Sequence, residues 1–79
     1  MDGHAVTFIL TLYPSGQEIH RWVVDDPENA PAILALGLRE VRHDEMTPNV
    51  RRCFLGGIGR DVTRRRSYGN LTLSVLEGE

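Results

Sequence analysis

Residues 5–24, Ala5-Val6-Thr7-Phe8-Ile9-Leu10-Thr11-Leu12-Tyr13-Pro14-Ser15-Gly16-Gln17-Glu18-Ile19-His20-Arg21-Trp22-Val23-Val24, decide the fold. Positions 6–12 hold only β-branched, aromatic or leucine residues, and strand alternation puts Val6, Phe8, Leu10 and Leu12 on one face. Pro14 presets φ and Gly16 supplies a left-handed residue, so Pro14-Ser15-Gly16 predicts a three-residue hairpin loop with a glycine bulge. That loop pairs Tyr13 with Gln17. Counting back, Leu10 faces His20, Phe8 faces Trp22 and Val6 faces Val24. The Phe8–Trp22 pair contributes about 0.2–1 kcal/mol over an alanine pair. The second face carries Thr7, Ile9, Thr11, Ile19, Arg21 and Val23. Its Ile9, Ile19 and Val23 form an apolar strip that offers a homodimer a two-fold seam. A lone hairpin is marginal, so the aromatic face requires helix or further strand over it.

Downstream, Asp26-Pro27 predicts a helix cap followed by a first-turn proline. In a continuous helix, Pro31 would clash with the carbonyl of Pro27. The expectation is therefore a loose turn over 27–29 and a helix from Asn29 or Ala30 to about His43. Its apolar stripe is Ala30, Ile33, Leu34, Gly37, Leu38 and Val41. The rival reading stops the helix at Leu36 and makes 38–45 a strand. An interior Gly37 costs about 1 kcal/mol against alanine, which close packing on the sheet would offset. Thr47-Pro48 predicts a second helix start, with 50–55 either helix or strand, ended by Gly56-Gly57. Gly56-Gly57-Ile58-Gly59 then reads as a loop and 61–64 as a short edge strand. Ser67-Tyr68-Gly69-Asn70 reads as a turn, and 71–75 as a strand with Leu71, Leu73 and Val75 inward. Glu77-Gly78-Glu79 is expected to fray. The sum is one α+β domain, β-β-α-(α)-β-β: a small two-layer sandwich. The N-terminal hairpin plus a C-terminal strand or hairpin makes an antiparallel sheet, with one or two helices on one face.

Composition limits the function. A chain of 79 residues has one small core. It has no apolar run long enough for a membrane span and no secretory n-region at its start. A single cysteine, Cys53, forms no internal disulfide, and a reducing, cytoplasmic setting is the expectation. Nine arginines and no lysine exclude Schiff-base and Walker-type lysine chemistry. Net charge is −2, unevenly placed: residues 1–50 hold three arginines against eight acids, and residues 51–79 hold six against three.

No stretch assembles a reaction centre. His4, His20 and His43 lack zinc-ligand spacing. Cys53 follows two arginines, which favour a thiolate, but no base is paired with it, and beside Phe54 and Leu55 it reads as core. Adjacent Asp25 and Asp26 rarely converge on one substrate. Gly56-Gly57-Ile58-Gly59-Arg60 offers consecutive loop amides to an anion. It lacks the third glycine and the βαβ setting of a dinucleotide site. No cofactor is implied.

The expected binding residues are therefore charged ones. Arg51, Arg52, Arg60, Arg64, Arg65 and Arg66, with Tyr68 for stacking, form a basic set suited to phosphate or carboxylate. Asp25, Asp26, Glu28, Asp44 and Glu45 form an acidic set that could mimic phosphate. The expectation is a non-catalytic protein-interaction module acting by occlusion or bridging. Its size and lack of motif suit a phage or mobile-element inhibitor of a host nucleic-acid-handling complex, anti-CRISPR proteins being one such class. The alternative is direct nucleic-acid binding through 51–66, against which the net charge and a pI near 5.9 weigh.

Overall fold

A computed structural model describes residues 5–77, so His4 and the terminal Gly78-Glu79 lie outside the described residues. The elements are β1 (Val6–Leu12), β2 (Gln17–Val24), a 3-10 turn (Pro27–Asn29), α1 (Ala30–Glu40), α2 (Pro48–Arg60), β3 (Arg66–Tyr68) and β4 (Leu71–Glu77). The strands form one antiparallel sheet in the order β2-β1-β4-β3, with both helices on one face. This is the α+β two-layer sandwich expected from the sequence.

The hairpin keeps its expected register where it matters and changes near the turn. Val6 faces Val24, Phe8 faces Trp22 and Leu10 faces His20. The loop, however, has four residues, Tyr13 to Gly16, and Leu12 rather than Tyr13 pairs with Gln17. Gly16 takes φ +79 and its amide donates to the Leu12 carbonyl at 2.6 Å. An extra residue in β2, Ile19, offsets the change as a bulge between the Leu10–His20 and Thr11–Glu18 pairs. The buried face fixes register, because a one-residue slip would expose every apolar side chain. The bulge also turns Ile19 onto the core side, where it packs partly buried. The apolar strip expected on the other face thereby loses Ile19 and keeps Ile9 and Val23.

β1 is central, with β4 as its second neighbour: Phe8 faces Val75, Leu10 faces Leu73, and Glu77 still pairs with Val6 instead of fraying. Phe8, Leu10, Leu71 and Leu73 are fully buried beneath Leu34 and Leu38 of α1 and Phe54 and Ile58 of α2. Tyr68 meets Phe54 edge to face, with centroids 4.8 Å apart.

α1 starts at Ala30 behind the 3-10 turn, as Pro31 demands, and continues through Gly37. A Cβ at Gly37 would overlap the Trp22 indole nitrogen and lie 2.8 Å from Cε2, so the glycine permits close helix–sheet packing. The helix ends at Glu40, three residues short of the expected end, because Val41 is extended (ψ 127) and turns inward to the core. Asp26 precedes the 3-10 turn without a side-chain cap; its carboxylate accepts from the Asn29 side-chain amide at 2.6 Å instead.

The largest departure is α2. Thr47 caps it, its hydroxyl accepting from the Val50 amide at 3.2 Å. The helix then runs 13 residues, straight through Gly56-Gly57-Ile58-Gly59. Two physical reasons overcome three glycines. Ile58 continues the buried stripe begun by Val50 and Phe54. Gly57 lets the Arg66 side chain and the Tyr68 hydroxyl close onto the helix, where a Cβ would be 3.0 Å from Tyr68 Oη. The expected strand over 61–64 is a loop, and β3 forms at 66–68 instead. Tyr68 and Leu71 close a two-residue turn on Gly69 at φ +60, as a Gly-first hairpin turn requires.

Candidate binding surface on the second helix

The six arginines of the C-terminal half divide by role. Arg51 is half-buried between the helices, and its guanidinium donates to the Leu38 carbonyl and, at 3.0 Å, to the Val41 carbonyl. These carbonyls lie at the C-terminal end of α1, where Leu38 otherwise receives only the long 3.4 Å bond from the Val41 amide, so Arg51 is a cap with a favourable charge at the helix's negative end. Arg66 lies on the helix-facing side of β3 and donates to the Arg64 carbonyl at 3.1 Å and to the Asp61 carbonyl. Both are held by the chain's own backbone.

Arg52 and Arg60 are presented to solvent. They sit eight residues apart on one stripe of α2, about 12 Å along the axis at 1.5 Å per residue. Between them Gly56 and Gly57 form a floor without side chains. Cys53 and Tyr68 complete a shallow groove of about 350 Å³. Among the described residues, no carboxylate lies within ion-pair distance of either arginine; Arg52 has one hydrogen bond, to Asn49 Oδ1 at 3.0 Å. Cys53 is exposed rather than core, because Phe54 and Ile58 take the inward positions.

Arg65 faces another way. It borders a cavity with Thr11, Tyr13, Pro14, Thr72 and Ser74, on the sheet face opposite the helices. Arg64 is exposed in the loop close to Asp61, whose carboxyl is held below the ordinary aspartate range. The cause is the Thr63 hydroxyl first, at 2.6 Å, then the Thr63 amide at 3.0 Å, with smaller help from the charges of Arg64 and Arg66. The basic set therefore comprises a pair on α2, two side chains folded onto the backbone, and loop residues turned elsewhere.

The acidic set also divides. Asp25, Asp26 and Glu28 are exposed just beyond β2, at the sheet end where Val6 faces Val24. Glu45 accepts from the Asn70 side chain at 3.1 Å, at the opposite end of the sheet, and Asp44 is its exposed neighbour. Among the described residues, no three His, Cys, Asp or Glu side chains gather into a metal-binding group.

Sequence reading did not place the α2 groove, since its glycines read as a loop. The signal was there in Val50, Phe54 and Ile58 at helical spacing, which carries Arg52, Gly56 and Arg60 onto one outer stripe. In the sequence alone, three glycines in four positions outweigh that periodicity. No protein family, curated protein or solved structure matches the chain.

Proposed function

We propose that this chain is a non-catalytic protein-interaction module whose α2 groove takes an acidic segment of a protein partner, acting by occlusion or bridging. The observation that carries this reading is the Arg52–Arg60 pair across a glycine floor. The Arg52 and Arg60 positions, about 12 Å apart along the helix axis, match carboxylates four residues apart on an extended strand, at about 3.3 Å per residue. Arginine forks bind carboxylate bidentately, and Tyr68 adds a hydroxyl beside the floor.

Direct nucleic-acid binding draws on the same side chains and is the weaker reading. A net charge of −2 opposes phosphate affinity, and the basic residues do not line one continuous track. Mimicry of phosphate by the acidic set would need two separate contacts, since those residues occupy both ends of the sheet. An inhibitor of a nucleic-acid-handling complex remains the narrower form of the proposal, with the partner's acidic segment as the point of contact.

The test compares three fluorescent probes: a dodecapeptide with two glutamates four residues apart, a mixed-sequence RNA strand and a DNA duplex, at about 50 and 200 mM salt. The peptide is expected to bind. Arg52→Ala with Arg60→Ala weakens it roughly tenfold, as two exposed charge pairs allow. Arg64→Ala with Arg65→Ala leaves it unchanged. Tight RNA or DNA binding with a steep salt slope, and none to the peptide, overturns the proposal in favour of nucleic acid.

A further inference from the structure

β2 is an edge strand, with β1 on one side and no strand on the other among the described residues. Its two halves differ. Near the hairpin tip the edge is guarded by the Ile19 bulge and by the Glu18–Arg21 ion pair at 2.8 Å, devices that discourage strand pairing. From Trp22 to Val24 there is no bulge, proline or charge. β3, at the other edge, is only three residues long.

Alongside β2, on the helix side, lies a cleft of about 270 Å³. Ile19 and Trp22 from the strand and Gly37 and Val41 from the end of α1 give it apolar walls; Glu40 and Arg42 stand with them. His20 packs against Trp22 with the two rings tilted by 56° and their centroids 4.6 Å apart. The cleft thus has room for one apolar side chain delivered by a neighbouring strand. Just past Val24 come Asp25, Asp26 and Glu28, all exposed and, among the described residues, without a basic partner.

We infer that the free edge of β2 binds an extended segment of a protein partner by strand addition. The segment places an apolar residue in the Trp22–Gly37 cleft and a basic residue about four positions away, beside Asp25 and Asp26. Strand addition supplies affinity through backbone hydrogen bonds and specificity through alternate side chains. Four residues span about 13 Å of strand, which matches the reach from His20–Trp22 to the acidic turn. The charge of that turn selects a basic segment, whereas the α2 groove selects an acidic one. The two surfaces are independent.

The test uses labelled dodecapeptides on a serine, threonine and valine background. One carries leucine and arginine four residues apart, a second has glutamate for the arginine, and a third is the first peptide with N-methylated backbone amides. Titration is followed in the 15N–1H spectrum of the full chain. The leucine–arginine peptide is expected to shift the Trp22 indole N–H, Gly37 and the amides of residues 22–24. The glutamate peptide binds at least about fivefold more weakly, and the N-methylated one does not bind. Asp25→Asn, Asp26→Asn and Glu28→Gln together reduce the affinity for leucine–arginine to that for leucine–glutamate. Arg52→Ala with Arg60→Ala leaves it unaltered. No shift at Trp22 and Gly37 at millimolar peptide, equal binding of the two charge forms, or loss of binding in the Arg52/Arg60 variant overturns the inference. So does a sedimenting dimer whose β2 amides are already protected from exchange, which would give the edge to a second copy.

Discussion

Gly37 and Gly56 both lie inside helices, and their surroundings give them opposite consequences. An alanine at position 37 gains about 1 kcal/mol of helix propensity. Its Cβ meets the Trp22 indole, however, and overpacking costs about 1–3 kcal/mol. At Gly56 a Cβ meets nothing within 4 Å. Urea unfolding is therefore expected to show Gly37→Ala destabilised, by up to about 2 kcal/mol. Gly56→Ala is expected to gain up to about 1 kcal/mol. Asp61 gives a second test at this scale. Its carboxyl is held low chiefly by the Thr63 hydroxyl, so the charged form is favoured in the folded chain. A carboxyl whose folded pKa lies below its unfolded value stabilises the fold above the unfolded value. It loses that contribution as pH falls through the folded one. An NMR titration is expected to place the Asp61 midpoint below that of an aspartate model peptide. Thr63→Ala raises it toward the ordinary value.

Among the elements, α2 carries the proposed groove, and it was the least legible. The β1–β2 hairpin was readable because its buried face admits one register: Phe8 opposite Trp22 survives even though the turn differs by a residue. The strand β4 with Leu71, Leu73 and Val75 inward was readable for the same reason. The fold class followed from those two signals. α2 was not, because the advantage of keeping Gly57 helical comes from Arg66 and Tyr68, which meet it only in the folded chain. Likewise, nothing in the run Arg51-Arg52 says that one arginine caps α1 while its neighbour faces solvent. That difference is testable. Arg51→Ala removes the charged donor that the Leu38 and Val41 carbonyls share at the end of α1 and is expected to cost about 1–3 kcal/mol in chemical denaturation. Arg52→Ala removes an exposed side chain and is expected to stay within about 0.5 kcal/mol of the parent.

For the whole molecule, the uneven charge along the chain does not become one basic and one acidic pole. Folding takes Arg51 and Arg66 onto the backbone, sends Arg65 to the open sheet face and leaves Arg52 and Arg60 together. The acids separate to the two ends of the sheet. No helix among the described residues is long and apolar enough to cross a membrane. What remains is a molecule with separate, local charged surfaces of opposite sign rather than one continuous basic track. The most direct test maps where the glutamate dodecapeptide binds, using 15N–1H spectra that include arginine side-chain resonances. The account predicts shifts at the Nε–H groups of Arg52 and Arg60 and at the amides of Gly56 and Gly57, with Arg51 and Arg66 unchanged. Shifts centred on Arg65, Thr72 and Ser74, or no shifts on α2, would contradict it.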